Sequence, residues 1–294
     1  MSRNDFWKKA GWFVVSLLPA ALSLILQFGA AFVFMFLVAF YIGFTQYDAG
    51  MSQMQIMELV QNTYMENLTY VVAIYQVVGL LVFGLWYYLA YGRKKRPVEA
   101  EKPGIKGIAL VVFLGCFLQV FISGMLGLIS GLFPNLMKHY ADMMELAGIM
   151  EMGLLTFITT VILAPIGEEL LCRGIIFRLA GKVTPKFFAA NCIQALAFGI
   201  IHANLVQGAY AFFLGLFLGY IYGKYKNISV CMLLHGVINC SSYFVGYLWE
   251  LLPKSHELTG VALICALALV FMLLIMKLLG KIRPVEEKQD VVPC

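Results

Sequence analysis

The sequence predicts an all-α fold: a polytopic membrane helix bundle of about eight transmembrane helices, with both termini cytoplasmic. Three observations predict it. Of 294 residues, 62% are hydrophobic and 13% charged, with a mean hydropathy of +0.86, whereas a soluble domain runs roughly 45–50% apolar and about 25% charged. So few polar groups cannot coat a water-facing body of 32.8 kDa, which excludes a soluble enzyme, a nucleic-acid-binding module and a disordered chain. Apolar runs close to the ~20 residues that a spanning helix needs recur eight times. With the N-terminus inside, 19 of the 21 Lys and Arg fall on the cytoplasmic side, including Arg93–Lys94–Lys95–Arg96, and only Lys138 and Lys254 fall outside. The acidic residues split eight and eight, so the bias belongs to the basic ones, as the positive-inside rule requires.

The first run, Gly11–Phe44, follows Arg3, Lys8 and Lys9 as a signal peptide would. It is more than twice the length of such a region, about 7–15 residues, and reads as an uncleaved anchor. Met51–Met65 then forms an outer segment, followed by a second span, Tyr70–Tyr91, and a third, Gly107–Phe133. Met137–Met152 is a second outer segment, and the two segments hold nine of the 15 methionines at spacings near three and four. They read as amphipathic helices on the outer rim, or as a docking surface for a flexible peptide. The fourth span is Met152–Gly181, stopped by Gly181, and Thr184 with Pro185 predicts the start of the fifth, Pro185–Ala203. Val206–Gly223, Ile228–Trp249 (beginning at Asn227) and Leu258–Leu279 complete the set. The chain divides into an N-terminal two-span region, 1–106, a central bundle, 107–250, and a last span with its tail, 251–294. Seven cysteines without a C-x-x-C pair predict free thiols rather than disulfides or a thiolate metal site.

Ionisable groups cost roughly 2.5–3.5 kcal/mol each at the centre of a spanning helix, so those present need a reason. They collect in one half of the chain: Glu168, Glu169 and Arg173 in the fourth span, His202 in the fifth, and His235 with Asn239 in the seventh. The remaining histidines, His139 and His256, fall in outer segments. Glu169 and Arg173 are four residues apart and share a helical face, so they read as a neutralised pair. Glu168 is rotated about 100° from Glu169 and is expected to point elsewhere. A carboxylate without a local partner in a low-dielectric pocket is poised for proton transfer. His235 and Asn239 also share a face, which suits either a hydrogen-bonded glue between spans or chemistry. Taken alone, His202 suits a core histidine equally well. Depth links the four. At 1.5 Å per residue, Glu168 and His202 lie roughly 20 and 26 Å from the cytoplasmic ends of their helices, and His235 and Asn239 roughly 12 and 18 Å from Asn227. Arg178, Lys182 and Lys186 imply that the fourth and fifth helices protrude, so the four groups can meet in one pocket below the cytoplasmic surface.

Glu168–Glu169 with Arg173 reads as E-E-x-x-x-R, Phe198 with His202 as F-x-x-x-H, and His235 with Asn239 as H-x-x-x-N. In that order, on separate spans within about residues 150–245, they resemble the CPBP family of intramembrane glutamic endopeptidases. That family takes in type II CAAX prenyl endopeptidases, lysostaphin resistance protein A-like proteins and abortive-infection or bacteriocin-immunity proteins. The resemblance implies an intramembrane endopeptidase with a cytoplasm-facing cavity. In it Glu168 activates water with the help of His202, His235 and Asn239 steady the oxyanion, and Glu169, Arg173 and Phe198 shape the site. It implies no cofactor, a peptide or lipidated protein as substrate, and an integral multi-pass location, in the plasma membrane if the host is bacterial. The chemistry of the residues agrees: hydrolysis needs a base to take a proton from water and donors aimed at the developing oxyanion. Cys172, one turn beyond Glu168, has no orienting partner and reads as packing. Glu168, His202 and His235 could instead ligate zinc, although no H-E-x-x-H helix is present. Two non-protease readings stay open: an ion- or proton-coupled transporter, and a non-catalytic scaffold or immunity protein.

Overall fold

The computed structural model describes residues 3–46, 51–92, 103–146, 153–254 and 257–282. Every element there is helical: α1 (Arg3–Thr45), α2 (Gln53–Glu66), α3 (Leu68–Gly92), α4 (Ile105–Leu132), α5 (Pro134–Leu146), α6 (Leu154–Val183), α7 (Phe187–Ile200), α8 (Leu205–Tyr225), α9 (Ile228–Glu250) and α10 (Glu257–Ile282). Seven of them are long and apolar enough to cross a membrane, and the protein is an integral multi-pass membrane protein. The Arg93–Arg96 basic run, His256, Cys294 and the end of the second methionine-rich segment lie outside the described residues. The six cysteines that are described are all free thiols.

Two expectations need correction. The fifth expected span is α7, whose 14 residues rise only about 21 Å, short of the ~30 Å hydrocarbon thickness. It begins at Phe187, with extended Lys186 before it, rather than at Pro185, and α6 runs past Gly181 to Val183. At its far end the chain leaves the helix at Ile201 and His202 and passes through Ala203 at a left-handed φ of 52°. The Asn204 side chain then caps α8 by accepting from the Gln207 amide. Non-helical backbone at membrane depth is tolerated where protein encloses it, and this turn is where His202 sits.

α6 is the central helix. α3 packs on one side of it and α9 on another, with α1 and α7 against its second half. α4 lies behind α9, held to it by a hydrogen bond from the Trp249 indole to Ser123, and is itself covered by α10 through the stacked Phe117–Phe271 rings. Basic and aromatic side chains gather at the end of the bundle where α6 finishes. The Arg178 guanidinium lies 4.8 Å from the Tyr91 ring centre, and the Lys182 ammonium 4.3 Å from that of Trp12. Such basic–aromatic collars mark where spans meet the interface. Ser52 opens α2 with a reciprocal capping box to Gln55, so the first methionine-rich segment is helical as expected.

α7 and α8 pack along small residues that let their backbones approach, the usual glue between helices in lipid. A Cβ on Gly199 would lie 2.6 Å from the Gly208 carbonyl oxygen, and one on Gly215 would lie 2.9 Å from the Ala195 Cα. No flexible side chain can give way at either point. Gly199→Val is expected to lower stability by about 1–3 kcal/mol or more through overpacking, read as a reduced thermal midpoint in detergent. An unchanged midpoint would contradict this helix contact.

Candidate active site

The site is built on irregularities in α6. Wide π-helical turns at Ile158–Leu163 and Leu170–Ile176 flank Ala164–Glu169, where the carboxylates sit. Pro165 has no N–H, and its ring crowds the carbonyl four residues back, that of Val161. The Ala164 amide turns to the Thr159 carbonyl, so the Thr160 carbonyl receives a donor from neither Ala164 nor Pro165. α9 supplies what α6 lacks: the Asn239 amide donates to the Thr160 carbonyl at 2.8 Å. One turn earlier, Gly236 brings α9 so close that a Cβ would lie 3.1 Å from the Val161 oxygen.

That docking sets His235 beside both carboxylates. Its Nδ1 is 2.9 Å from Glu169 Oε1, and its Nε2 is 3.7 Å from Glu168 Oε2. A carboxylate only accepts, so Nδ1 carries the proton of the first contact. Glu169 Oε1 also accepts from Arg173 Nη1 at 2.9 Å, and both members of that pair are fully buried. Arg173 Nη2 donates onward to the Gly215 carbonyl at 3.1 Å, which Gln194 shares at 2.8 Å. The Glu169–Arg173 pair therefore forms as the four-residue spacing predicts. Glu168 does not turn away from it, because the two nitrogens of one imidazole reach two carboxylates on adjacent residues.

Phe198 is the hub of the apolar packing. His202 and His235 meet its ring edge-on at centroid distances of 4.9 and 5.6 Å, and the Arg173 guanidinium lies 4.9 Å from its centre. His202 Nδ1 is 2.7 Å from the Phe198 carbonyl, so that nitrogen donates and Nε2 of the neutral ring keeps an open lone pair. His202 is close enough to Glu168 and His235 to feel their charges. Glu168, Glu169, Arg173, Phe198, His202 and His235 thus come together, while Asn239 holds α9 to α6 and keeps a second amide N–H for another acceptor. Cys172 is buried in the packed core. Among the described residues, no group of three His, Cys, Asp or Glu side chains is arranged to hold a metal ion.

Several polar groups at this site carry no sequence motif. Tyr75 of α3 hydrogen-bonds Ser23 of α1 at 2.8 Å, and Tyr210 of α8 hydrogen-bonds Tyr140 of α5 at 3.1 Å. Tyr75 lines a small cavity together with Glu168. The signal that finds them is weak in sequence: a hydroxyl inside an otherwise apolar span.

Fold and site together define a class, a multi-pass membrane protein whose spans enclose a cluster of acid–base side chains. Residues 150–241 match the family described as type II CAAX prenyl endopeptidase Rce1-like, so the resemblance to the CPBP proteases is borne out over about a third of the chain. The chain is also 27% identical over 141 residues to a Bacillus subtilis (strain 168) protein named "Putative membrane peptidase YdiL". That alignment covers 48% of this chain and 57% of the relative's length. No solved structure matches the chain.

Removing one member of a buried ion pair leaves an uncompensated charge. Arg173→Met is expected to cost about 3–5 kcal/mol in denaturant unfolding, and the double variant Arg173→Met with Glu169→Gln to recover a large part of the loss. Equal losses in the single and double variants would show that the stranded carboxylate is not the source.

Proposed function

We propose that this protein is an intramembrane endopeptidase that hydrolyses peptide bonds near the cytoplasmic membrane surface with a glutamate-activated water. The observation that carries the reading is the His235 imidazole held between two carboxylates of which only Glu169 has a guanidinium partner. With Arg173 charged and His235 protonated, two positive charges balance two carboxylates. Glu168 is then ionised and available as a base, while His235 Nε2 keeps an N–H to donate.

The reaction follows from these roles. Glu168 takes a proton from water as the water oxygen bonds to the peptide carbonyl carbon, and the carbonyl π pair moves onto oxygen. The His235 Nε2–H and the second amide N–H of Asn239 stabilise that oxyanion. His202, with its Nε2 lone pair open, assists Glu168. On collapse the C–N bond breaks and the leaving nitrogen takes the proton from Glu168, giving an amine and a carboxylic acid. Neither a cofactor nor a metal enters this sequence. Glu169, Arg173 and Phe198 act by fixing the position of His235.

The substrate class in this reading is a peptide or lipidated protein that reaches the site through the bilayer. A cavity of about 350 Å³ between α4, α5 and α8, towards the outer end of the bundle, can take an apolar group. Its walls include Phe121, Met125, Met137, Val206 and Tyr210. The basic–aromatic collar around Lys182, together with the positive-inside bias, supports the cytoplasmic orientation.

Glu168→Gln keeps the shape and removes the base. In proteoliposomes presented with prenylated and unprenylated peptides, it is expected to lower kcat by about a thousandfold, within the usual range for a general base. Cleavage at the wild-type rate would overturn the role of Glu168, and loss of ion flux without any peptide cleavage would favour transport. Cleavage is also expected to persist in EDTA. Activity lost in EDTA and restored by zinc would instead assign Glu168, His202 and His235 to a metal.

A further inference from the structure

Glu168 also borders a second space, walled by α1 and α3 rather than by the histidine-bearing helices. It is a cavity of about 10 Å³, the room of a single water. Ser23, Tyr75, Gln76, Phe83 and Gly167 line it together with Glu168. A side-chain amide within a membrane span is costly unless something accepts and donates to it. Gln76 lies inside α3, its side chain makes no hydrogen bond among the described residues, and Glu168 lines the same cavity. Gly167 lies beside the amide: a Cβ there would be in ordinary van der Waals contact with the Leu80 backbone and 3.9 Å from Gln76 Oε1.

The geometry points to a second wall of the active site, supplied by the N-terminal two spans, in which Gln76 and Tyr75 position the water that Glu168 deprotonates; this rests on the reading of Glu168 as the base. A water in the cavity donates one proton to the Glu168 carboxylate and the other to Gln76 Oε1. With Ser23 as the donor of the 2.8 Å hydrogen bond between the two hydroxyls, the Tyr75 hydroxyl is free to donate to the water. Three of the four hydrogen-bonding directions of the water are then fixed, and the remaining lone pair is free for the carbonyl carbon. Gln76 is in this scheme a positioning residue. The E-E-x-x-x-R span holds the base, and the α1–α3 pair orients what the base acts on.

The test has two arms on the full-length protein. An experimental structure at a resolution that resolves ordered water is expected to hold one water within hydrogen-bonding distance of both Gln76 and Glu168; an empty cavity overturns the inference whatever the activity. In the kinetic arm, Gln76→Leu and Tyr75→Phe are compared with wild type and Glu168→Gln in the proteoliposome cleavage assay, with thermal midpoints as the check on folding. Gln76→Leu is expected to lower kcat about ten- to a hundredfold, as loss of reactant positioning does, with KM within threefold and the midpoint unchanged. Tyr75→Phe is expected to lower kcat less. An unchanged kcat, or a loss confined to KM, overturns water positioning by Gln76. If Glu168→Gln cleaves as fast as wild type, the reading of Glu168 fails instead, and the water in the structural arm still reports on the cavity. If Gln76→Leu alone loses its folded midpoint, Gln76→Glu at the same position keeps the size and the acceptor, and a wild-type kcat in that folded variant upholds the assignment of Oε1 while a tenfold loss overturns it.

Discussion

One carboxylate oxygen organises the functional half of the bundle. Glu169 Oε1 accepts from Arg173 on its own helix and from His235 on α9, and through Arg173 it reaches the Gly215 carbonyl on α8. Three helices are thus tied to one buried anion. In lipid no hydrophobic force draws helices together, since the hydrocarbon around them is as apolar as leucine. Association then rests on close packing and on polar groups whose separation would strand a charge. The small residues along α7 and α8 supply the packing, and Glu169 supplies the charge. Phe198 closes the remaining side, with its ring against Arg173 and both histidines.

The second constraint is backbone in origin. Pro165 interrupts the hydrogen-bond ladder of α6 just ahead of the carboxylates, and π-helical turns lie on both sides. An open carbonyl in a membrane core must find a donor elsewhere. Asn239 finds Thr160, and Gly236 lets α9 come near enough for it to do so. The H-x-x-x-N spacing therefore has a mechanical meaning besides any chemical one. Asn239 fixes the register of α9 on α6, and with the register fixed, His235 one turn away meets Glu168 and Glu169. A defect in one helix becomes the docking point of the next.

Much of this was legible from residue types alone. Scarcity of charge revealed the membrane, the apolar runs located the long helices, to within a few residues except at the start of α1, and the few intramembrane charges pointed to the candidate site. The four-residue spacing of Glu169 and Arg173 gave their pair, because an α-helical repeat survives locally even between π turns. Three things were not legible. The shortness of α7 was hidden because Ile200, Ile201 and Ala203 are apolar whether or not they are helical. The convergence of Glu168 and Glu169 on one imidazole depends on where α9 docks, and that depends on Pro165 two turns from its visible effect. The groups facing Glu168 from the N-terminal spans were hidden by their lack of charge: Ser23, Tyr75 and Gln76 look like ordinary span residues until the fold sets α1 and α3 against α6.

The charge balance explains why the two adjacent glutamates cannot be equivalent. In a low-dielectric interior the cluster must stay close to neutral. Glu169 is neutralised by Arg173, whose guanidinium cannot be deprotonated in a protein, so its charge is fixed. Glu168 has no guanidinium partner among the described residues and stands 3.7 Å from the His235 imidazole. Burying Glu169 with a permanent cation therefore does more than hold helices together. It leaves Glu168, which borders a cavity, as the carboxylate of the pair without a permanent cation beside it.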